Sequence, residues 1–370
     1  MEKMQKVHFI VLFIFCCFTV DSFIAQEEDS VEMVVASTVE VDSTGIDPEA
    51  QEAYNEGISA LEKDAFQEAI GFFTTAIELA DEFTQAYNNR AYSYLSLEKF
   101  EEAASDFEKT VALDPELDNA FFELGALAER NGSTDEAIEY YSKAIEVNSA
   151  DEQYHYQRGL QYFKKEEYNK AIDDFTGVIA LKNDFAFAYN DRGSAYKMID
   201  QLDQAILDYK AATIHDPNLV IAHNNLGTAY RENENYVNAI NAYTEAVKID
   251  PKNFIATNNR GYAKFENEQF EEAITDFRKA IEIKTDYAIA YNNLAAVYIA
   301  QENFEEALKA SSKAIEIDPE FGYAYCNRGI AREMLKDEKG ACEDWQEASV
   351  LGIDLGESYY QTTSCSSIID

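Results

Sequence analysis

The sequence predicts an all-α fold: a solenoid of nine stacked helical hairpins closed by a short C-terminal cap helix. Three observations carry this. From Ala50 to Leu355 the 370-residue chain divides into nine consecutive blocks of 34 residues, with no insertion or deletion. A fixed period of this length marks stacked supersecondary units. Numbering each block from 1, position 20 is alanine every time: Ala69, Ala103, Ala137, Ala171, Ala205, Ala239, Ala273, Ala307 and Ala341. Position 8 is glycine except at Ala91 and Ala295, and position 24 is aromatic from Phe73 to Trp345 except at Ser311.

Each element has a mechanical reason. Small residues at positions 8 and 20 let two antiparallel helices approach near the low end of the roughly 8–10 Å interaxial range. Aromatic residues at 4, 11, 17 and 24 are expected to fill the remaining space. Proline at position 32 (Pro115, Pro217, Pro251, Pro319) removes a donor and stops the second helix. In the third block, Ser133 and Glu136 have capping-box spacing at the start of the second helix.

The ends differ from the blocks. Lys3 and Lys6 precede an apolar run from Val7 to Val20 that Asp21 ends, the form of a secretory signal peptide within residues 1–25. Cleavage after Ser22 or after Ala25 both fit. Residues 26–49 carry eight acidic side chains and no basic one, as in a solvated acidic linker. Residues 356–370 follow the last block as cap and tail. With 30 Lys+Arg against 70 Asp+Glu the formal charge is -40, which disfavours nucleic acid and anionic lipid and favours neutral or basic partners.

Comparison of blocks within the chain also pairs charges. Position 7 is arginine in five blocks (Arg90, Arg158, Arg192, Arg260, Arg328), and the same five carry aspartate at position 23 (Asp106, Asp174, Asp208, Asp276, Asp344). Such agreement arises by chance roughly one time in a hundred, and covarying pairs imply contact. Each Arg is expected to bridge to its Asp between the helices of one hairpin.

The pattern in AYNNRAYSYLSLEKFEEAASDFEKTVALDP resembles the tetratricopeptide repeat, over about 306 of the 370 residues. The resemblance implies a right-handed superhelical solenoid that holds other proteins or peptides, with first helices lining a concave groove at positions 2, 5, 6, 9, 12 and 13. Position 6 reads Asn55, Asn89, Glu123, Gln157, Asp191, Asn225, Asn259, Asn293 and Asn327, never apolar and never basic. An amide offers the donor and acceptor that a peptide backbone needs. With the aromatic Tyr92, Phe122, Tyr156 and Tyr262, these residues make up the expected peptide-binding groove. The alternative is that the amides bond to neighbouring backbone and shape the stack. Position 5 holds no Lys or Arg, so the carboxylate-clamp chemistry of co-chaperone members is not expected.

The closing segment resembles the C-terminal cap of exported bacterial members. Cys342 falls early in the last repeat's second helix, and Cys365 late in a cap helix starting near Gly356, where the two ends can meet. A Cys342–Cys365 disulfide is expected, the alternative being two free buried thiols. Cys326 reads as an unpaired packing residue, and His155 and His223, both at position 4, as packed rings rather than ligands. No catalytic residue, metal ligand or cofactor motif is expected. The reading is a non-enzymatic interaction adaptor of the periplasm, cell surface or secreted space. The alternative is a structural component of an envelope complex that uses its convex face or acidic linker.

Overall fold

The computed structural model describes residues 45–363 and 365–369; the leader and residues 26–44 of the linker lie outside the described residues. Among the described residues there are twenty helices and no strand, and none of the helices is long and apolar enough to cross a membrane. The helices fall into two compact units that divide between Ile199 and Asp200.

The first unit holds four hairpins and a ninth helix: α1 (Pro48–Leu61) with α2 (Phe66–Leu79), α3 (Thr84–Ser96) with α4 (Phe100–Leu113), α5 (Asp118–Arg130) with α6 (Thr134–Val147), α7 (Glu152–Lys164) with α8 (Tyr168–Leu181), then α9 (Ala186–Met198). The second begins with α10 (Leu202–His215). Four hairpins follow: α11 (Val220–Glu232) with α12 (Tyr236–Ile249), α13 (Phe254–Glu266) with α14 (Phe270–Ile283), α15 (Ala288–Ala300) with α16 (Phe304–Ile317), and α17 (Gly322–Met334) with α18 (Glu338–Val350). The cap is α19 (Asp354–Thr362) and the short α20 (Ser366–Ile369).

Within each hairpin the core is one contact repeated. The position-20 alanines and the position-24 rings are buried completely. A methyl group added to Gly57 would meet the Phe73 ring at 2.5 Å, and one added to Gly227 would meet Tyr243 at 2.7 Å, so the ring occupies the space a side chain at position 8 would need. The one block without a ring, at Ser311, carries Ala295 at position 8. In the block of Ala91, Phe107 stands edge-on to Tyr92 with centroids 5.1 Å apart. Position 4 is half-buried where it is tyrosine, at Tyr87, Tyr189, Tyr291 and Tyr325, so of the four expected aromatic positions only position 24 buries its ring completely in repeat after repeat.

The hairpin turns are set by backbone. Position 15 adopts positive φ in every repeat, as at Glu98 (56°) and Glu268 (60°), and only Gly132 there is glycine. The next N–H reaches back to position 11: Lys99 N donates to Tyr94 O and Ser133 N to Ala128 O, both at 2.9 Å. This is the left-handed helix-termination motif, whose last residue also starts the next helix. The expected capping box is absent: the Ser133 hydroxyl makes no cap bond, although Asn235 and Asp337 at the same position do, accepting from Asn238 N and Gly340 N.

Two boundaries are corrected. The first helix starts at Pro48, two residues early, with the Asp47 carboxylate accepting from Glu49 N at 2.8 Å. Cys365 lies in the turn after α19 rather than late within a cap helix.

Candidate functional site

The repeated asparagines sit on the first helices, and most of them are buried. In the second unit Asn259 Nδ2 donates to Asn224 Oδ1 at 3.2 Å, Asn293 Nδ2 to Asn258 Oδ1 at 3.1 Å, and Asn327 Nδ2 to Asn292 Oδ1 at 2.9 Å. Every pair is 35 residues apart, joining position 6 of one repeat to position 5 of the repeat before. Inside one repeat, Asn258 Nδ2 lies 3.5 Å from Asn259 Oδ1 and links two rungs of the ladder, whereas in the next repeat Asn292 Nδ2 and Asn293 Oδ1 are buried without such a partner.

The first unit keeps the register and changes the chemistry. Asn89 Nδ2 donates to the Tyr54 hydroxyl at 2.9 Å, and the Tyr156 hydroxyl donates to Asp191 Oδ2 at 2.7 Å. Asn190 Nδ2 supplies the other carboxylate oxygen of Asp191 at 2.9 Å. Where the ladder has no polar partner, its residue stays half-buried: Phe122, 35 positions before Gln157, offers none. Asn55, in the first hairpin, accepts from Gln51 of its own helix at 3.1 Å.

This overturns the groove assignment for most of its members. Asn89, Asp191, Asn225, Asn293, Asn327, Tyr92 and Tyr156 are buried, and only Asn55, Gln157, Asn259, Phe122 and Tyr262 are half-buried. The acceptors Asn293 Oδ1 and Asn327 Oδ1 are enclosed by protein and cannot reach a ligand backbone. The physical reason is the close approach of successive first helices, which leaves an amide at position 6 facing position 5 of its neighbour. One signal was present in the sequence. Asn-Asn fills positions 5 and 6 in three consecutive repeats, and in the last repeat only Asn327 remains, with Cys326 beside it where no further repeat needs a partner.

Glu123 breaks the amide pattern with a buried carboxyl, 6% exposed. Burial pushes its pKa up to about 7, and a hydrogen bond from the Tyr92 hydroxyl pulls the other way. Burial likewise raises Tyr141 and Tyr154, and the neighbouring carboxylates add to it.

Four of the expected ion pairs form within the units, each with both guanidinium arms. Arg90 Nε and Nη2 reach the Asp106 oxygens at 2.7 Å each, and Arg158 reaches Asp174 at 2.9 and 2.7 Å. Arg260 reaches Asp276 at 2.8 and 2.7 Å, and Arg328 Nη2 lies 2.6 Å from Asp344 Oδ1. Burial works against the Arg90 charge, yet its bond to Asp106 leaves the guanidinium above its ordinary pKa. The third arm links repeats: Arg90 Nη1 bonds Thr74 Oγ1, and Arg158 Nη1 bonds Ser142 Oγ, both at 3.0 Å. Arg192 makes the same link to Thr176 at 3.1 Å; it belongs to the first unit, and Asp208 to the second.

Cys342 and Cys365 form a disulfide under a cluster with Trp345, whose ring stacks on Tyr359 with centroids 5.1 Å apart. Cys326 is a free, buried thiol that burial pushes up to about 12, beyond the range of a useful nucleophile. His155 Nδ1 is 3.5 Å from Asp174, and His223 Nε2 is 3.1 Å from the Pro217 carbonyl. Among the described residues, no group of three or more His, Cys, Asp or Glu side chains could hold a metal ion.

Half-buried side chains do run along the first helices at position 2. In the second unit they are Ile221, Ile255, Ile289 and Tyr323; in the first, Gln85, Asn119, Gln153 and Phe187. The ladder therefore occupies positions 5 and 6, and the accessible row lies one turn nearer the helix N-terminus.

Three family models described as tetratricopeptide repeat match residues 88–154, 220–253 and 254–320. Among solved structures, the chain is similar to YrrB, described as a TPR protein with an unusual peptide-binding site. Identity is 26%, covering 50% of this chain and 95% of that one, with a TM-score of 0.46. It is also similar to a tetratricopeptide repeat protein from Parabacteroides merdae (18% identity, 68% and 97% covered, TM-score 0.49). The MamA protein of Desulfovibrio magneticus RS-1 gives 23% identity, 47% and 97% coverage and a TM-score of 0.44. No curated protein matches. With its 34-residue helical hairpins and these family matches, the chain is a tetratricopeptide repeat protein.

Proposed function

We propose that the chain is a non-enzymatic interaction adaptor that holds extended peptide segments on the concave face of its first helices, through position 2 rather than through the amides. The observation that carries this is the apolar row Ile221, Ile255, Ile289 and Tyr323, half-buried at one residue per repeat. Membership in a repeat family of protein-binding modules supports it. The ladder beneath the row would act as a stiff backing, fixing the spacing of the apolar side chains. The net charge of -40 favours peptides that combine apolar anchors with basic residues.

The test is selection from a displayed random-peptide library on the full chain, then affinity by fluorescence anisotropy. Enriched peptides should pair aliphatic anchors with Lys or Arg. The double variant Ile255→Asp, Ile289→Asp should weaken them at least about tenfold, a loss of about 1.4 kcal/mol. Unchanged binding in that variant would favour the structural role on another face.

Export of the chain is part of the same proposal. The basic start at Lys3 and Lys6 with its apolar run supports it, and so does the Cys342–Cys365 disulfide, a bond that persists in oxidising compartments. N-terminal sequencing of the protein from its native cell should begin after Ser22 or Ala25. A chain recovered with Met1 in a cytosolic fraction would refute it.

A further inference from the structure

The nine blocks act as internal controls for one another, and one second helix departs from the rest on its outer face. On α10 that face carries Leu207, 65% exposed, and Ile214, 74% exposed, with Ala211 between them. These are positions 22, 29 and 26. Position 22 is Gly, Ser, Glu, Asp, Asn, Thr, Lys and Glu in the other eight blocks, never a large apolar residue. With Lys210 at position 25, the four outer positions of α10 hold no carboxylate, whereas each of the other eight blocks has at least one there. Val237, 59% exposed on α12, is also alone among polar residues at position 18 and extends the apolar character to the next second helix.

We propose that this face is a two-fold contact between two copies of the chain, α10 packed antiparallel on α10. Two arguments select a second copy as the occupant. The first is charge. A molecule of net charge -40 repels its own copy over most of its surface, and the middle of the α10 outer face, from Leu207 to Ile214, is the one such stretch in the repeats with no carboxylate at positions 22, 25, 26 or 29, the exposed Asp203 lying one turn outside it. A two-fold axis places that face against itself, the geometry in which like patches meet.

The second is register. Leu207, Ala211 and Ile214 stand at i, i+4 and i+7, one stripe of a helix. An antiparallel crossing centred near Ala211 sets Leu207 of each copy against Ile214 of the other. It puts the small side chain where the two backbones come closest. A single helix pair is smaller than the interface of a permanent dimer, so the contact is weak, with a Kd on the order of 10–100 µM.

Sedimentation equilibrium of the full chain, from micromolar to submillimolar concentration, tests this. The mean mass should climb toward that of two chains, and added salt should tighten the association by screening the mutual repulsion. Ile214→Glu places two new charges in the symmetric contact and should weaken it at least about tenfold. Val350→Glu, at an equally exposed apolar position on α18, should leave it unchanged. With Cys16 and Cys17 replaced by serine, Ala211→Cys should form a covalent dimer on mild oxidation that the same chain with Ala211 does not, since Cys326 is buried and takes no part. A chain monomeric at every concentration and salt would overturn the proposal, as would association that survives Ile214→Glu with no Ala211→Cys cross-link. A monomer that loses a different protein partner on Ile214→Glu would overturn it too, and assign the face to that partner.

Discussion

Asn327 donates from Nδ2 to Oδ1 of Asn292 at 2.9 Å across 35 residues of sequence, and both side chains are fully buried. Asparagine is a poor helix former because its amide competes for nearby backbone groups. Here the amide is committed to a side chain in the neighbouring repeat, so the competition is removed and the register between repeats is fixed. A slip of either helix would leave buried amide groups unpaired, which is costly in a low-dielectric interior.

Asn327→Ala should therefore destabilise the second unit by about 1–3 kcal/mol, because it strands the Asn292 oxygen without a donor. Asn327→Asp should cost more at neutral pH, since a carboxylate then faces that same oxygen, and acid should restore part of the loss by supplying a proton. Urea unfolding at two pH values measures both. A loss under about 0.5 kcal/mol for Asn327→Ala would show that the ladder contributes little to stability.

Glu123 predicts a pH dependence. Its pKa in the folded chain is pushed up to about 7 by burial, above the ordinary 4.5. The folded state thus holds the proton more tightly, and the associated stability is complete below about pH 4.5 and lost as pH rises through about 7. Tyr92, Tyr141 and Tyr154 surround the group electrostatically, and the Tyr92 hydroxyl is its hydrogen-bond partner. Glu123→Gln should be more stable than the parent at about pH 8, by up to about 3 kcal/mol, with the advantage vanishing toward pH 4. A difference that stays constant across this range would place the carboxyl in water.

Arg90 and Asp106 should behave as a unit. Each single change strands a partly buried charge, so Arg90→Leu and Asp106→Ala should each cost about 2–4 kcal/mol. The double variant installs the combination that the chain already uses at Leu226 with Ala242 and at Leu294 with Ala310. It should recover most of the loss, giving a coupling of about 1–3 kcal/mol in a double-mutant cycle. Simple additivity would show that the two side chains do not support one another.

These residues also show what could be read from the sequence and what could not. The hairpins, the Gly57–Phe73 type of contact and the Arg–Asp pairs were legible because each recurs inside one block, where a 34-residue period compares the chain with itself. The amide ladder runs between blocks, and its partners at positions 5 and 6 vary among Asn, Tyr and Asp, so no fixed pairing stood out. Polarity at position 6 was visible; whether it faced a ligand or the next helix depended on how closely successive first helices pack. The capping box at Ser133 failed for a different reason: the sequence signature was present, but the serine hydroxyl does not bond the helix start, whereas the longer side chains of Asn235 and Asp337 reach it from the same position.

The cap gives the last prediction. Cys342 and Cys365 are both fully buried, 23 residues apart in sequence, and their bond ties the chain beyond α19 to α18. Closing a loop of that length restricts the unfolded chain by about 3 kcal/mol. Reduction should therefore loosen α19 and the end of α18 and leave α1 to α9, in the other unit, as they were. Hydrogen exchange resolves this by position: amides near Trp345 and Tyr359 should lose protection by about one hundredfold or more, while those around Phe73 should not change. Before reduction, mass spectrometry after alkylation of the unfolded chain should find label on Cys326 but not on Cys342 or Cys365, and after reduction on those two as well. Label on Cys365 without reductant would show that the pair is not bonded, and equal loss of protection in both units would show that the bond stabilises more than its own end of the stack.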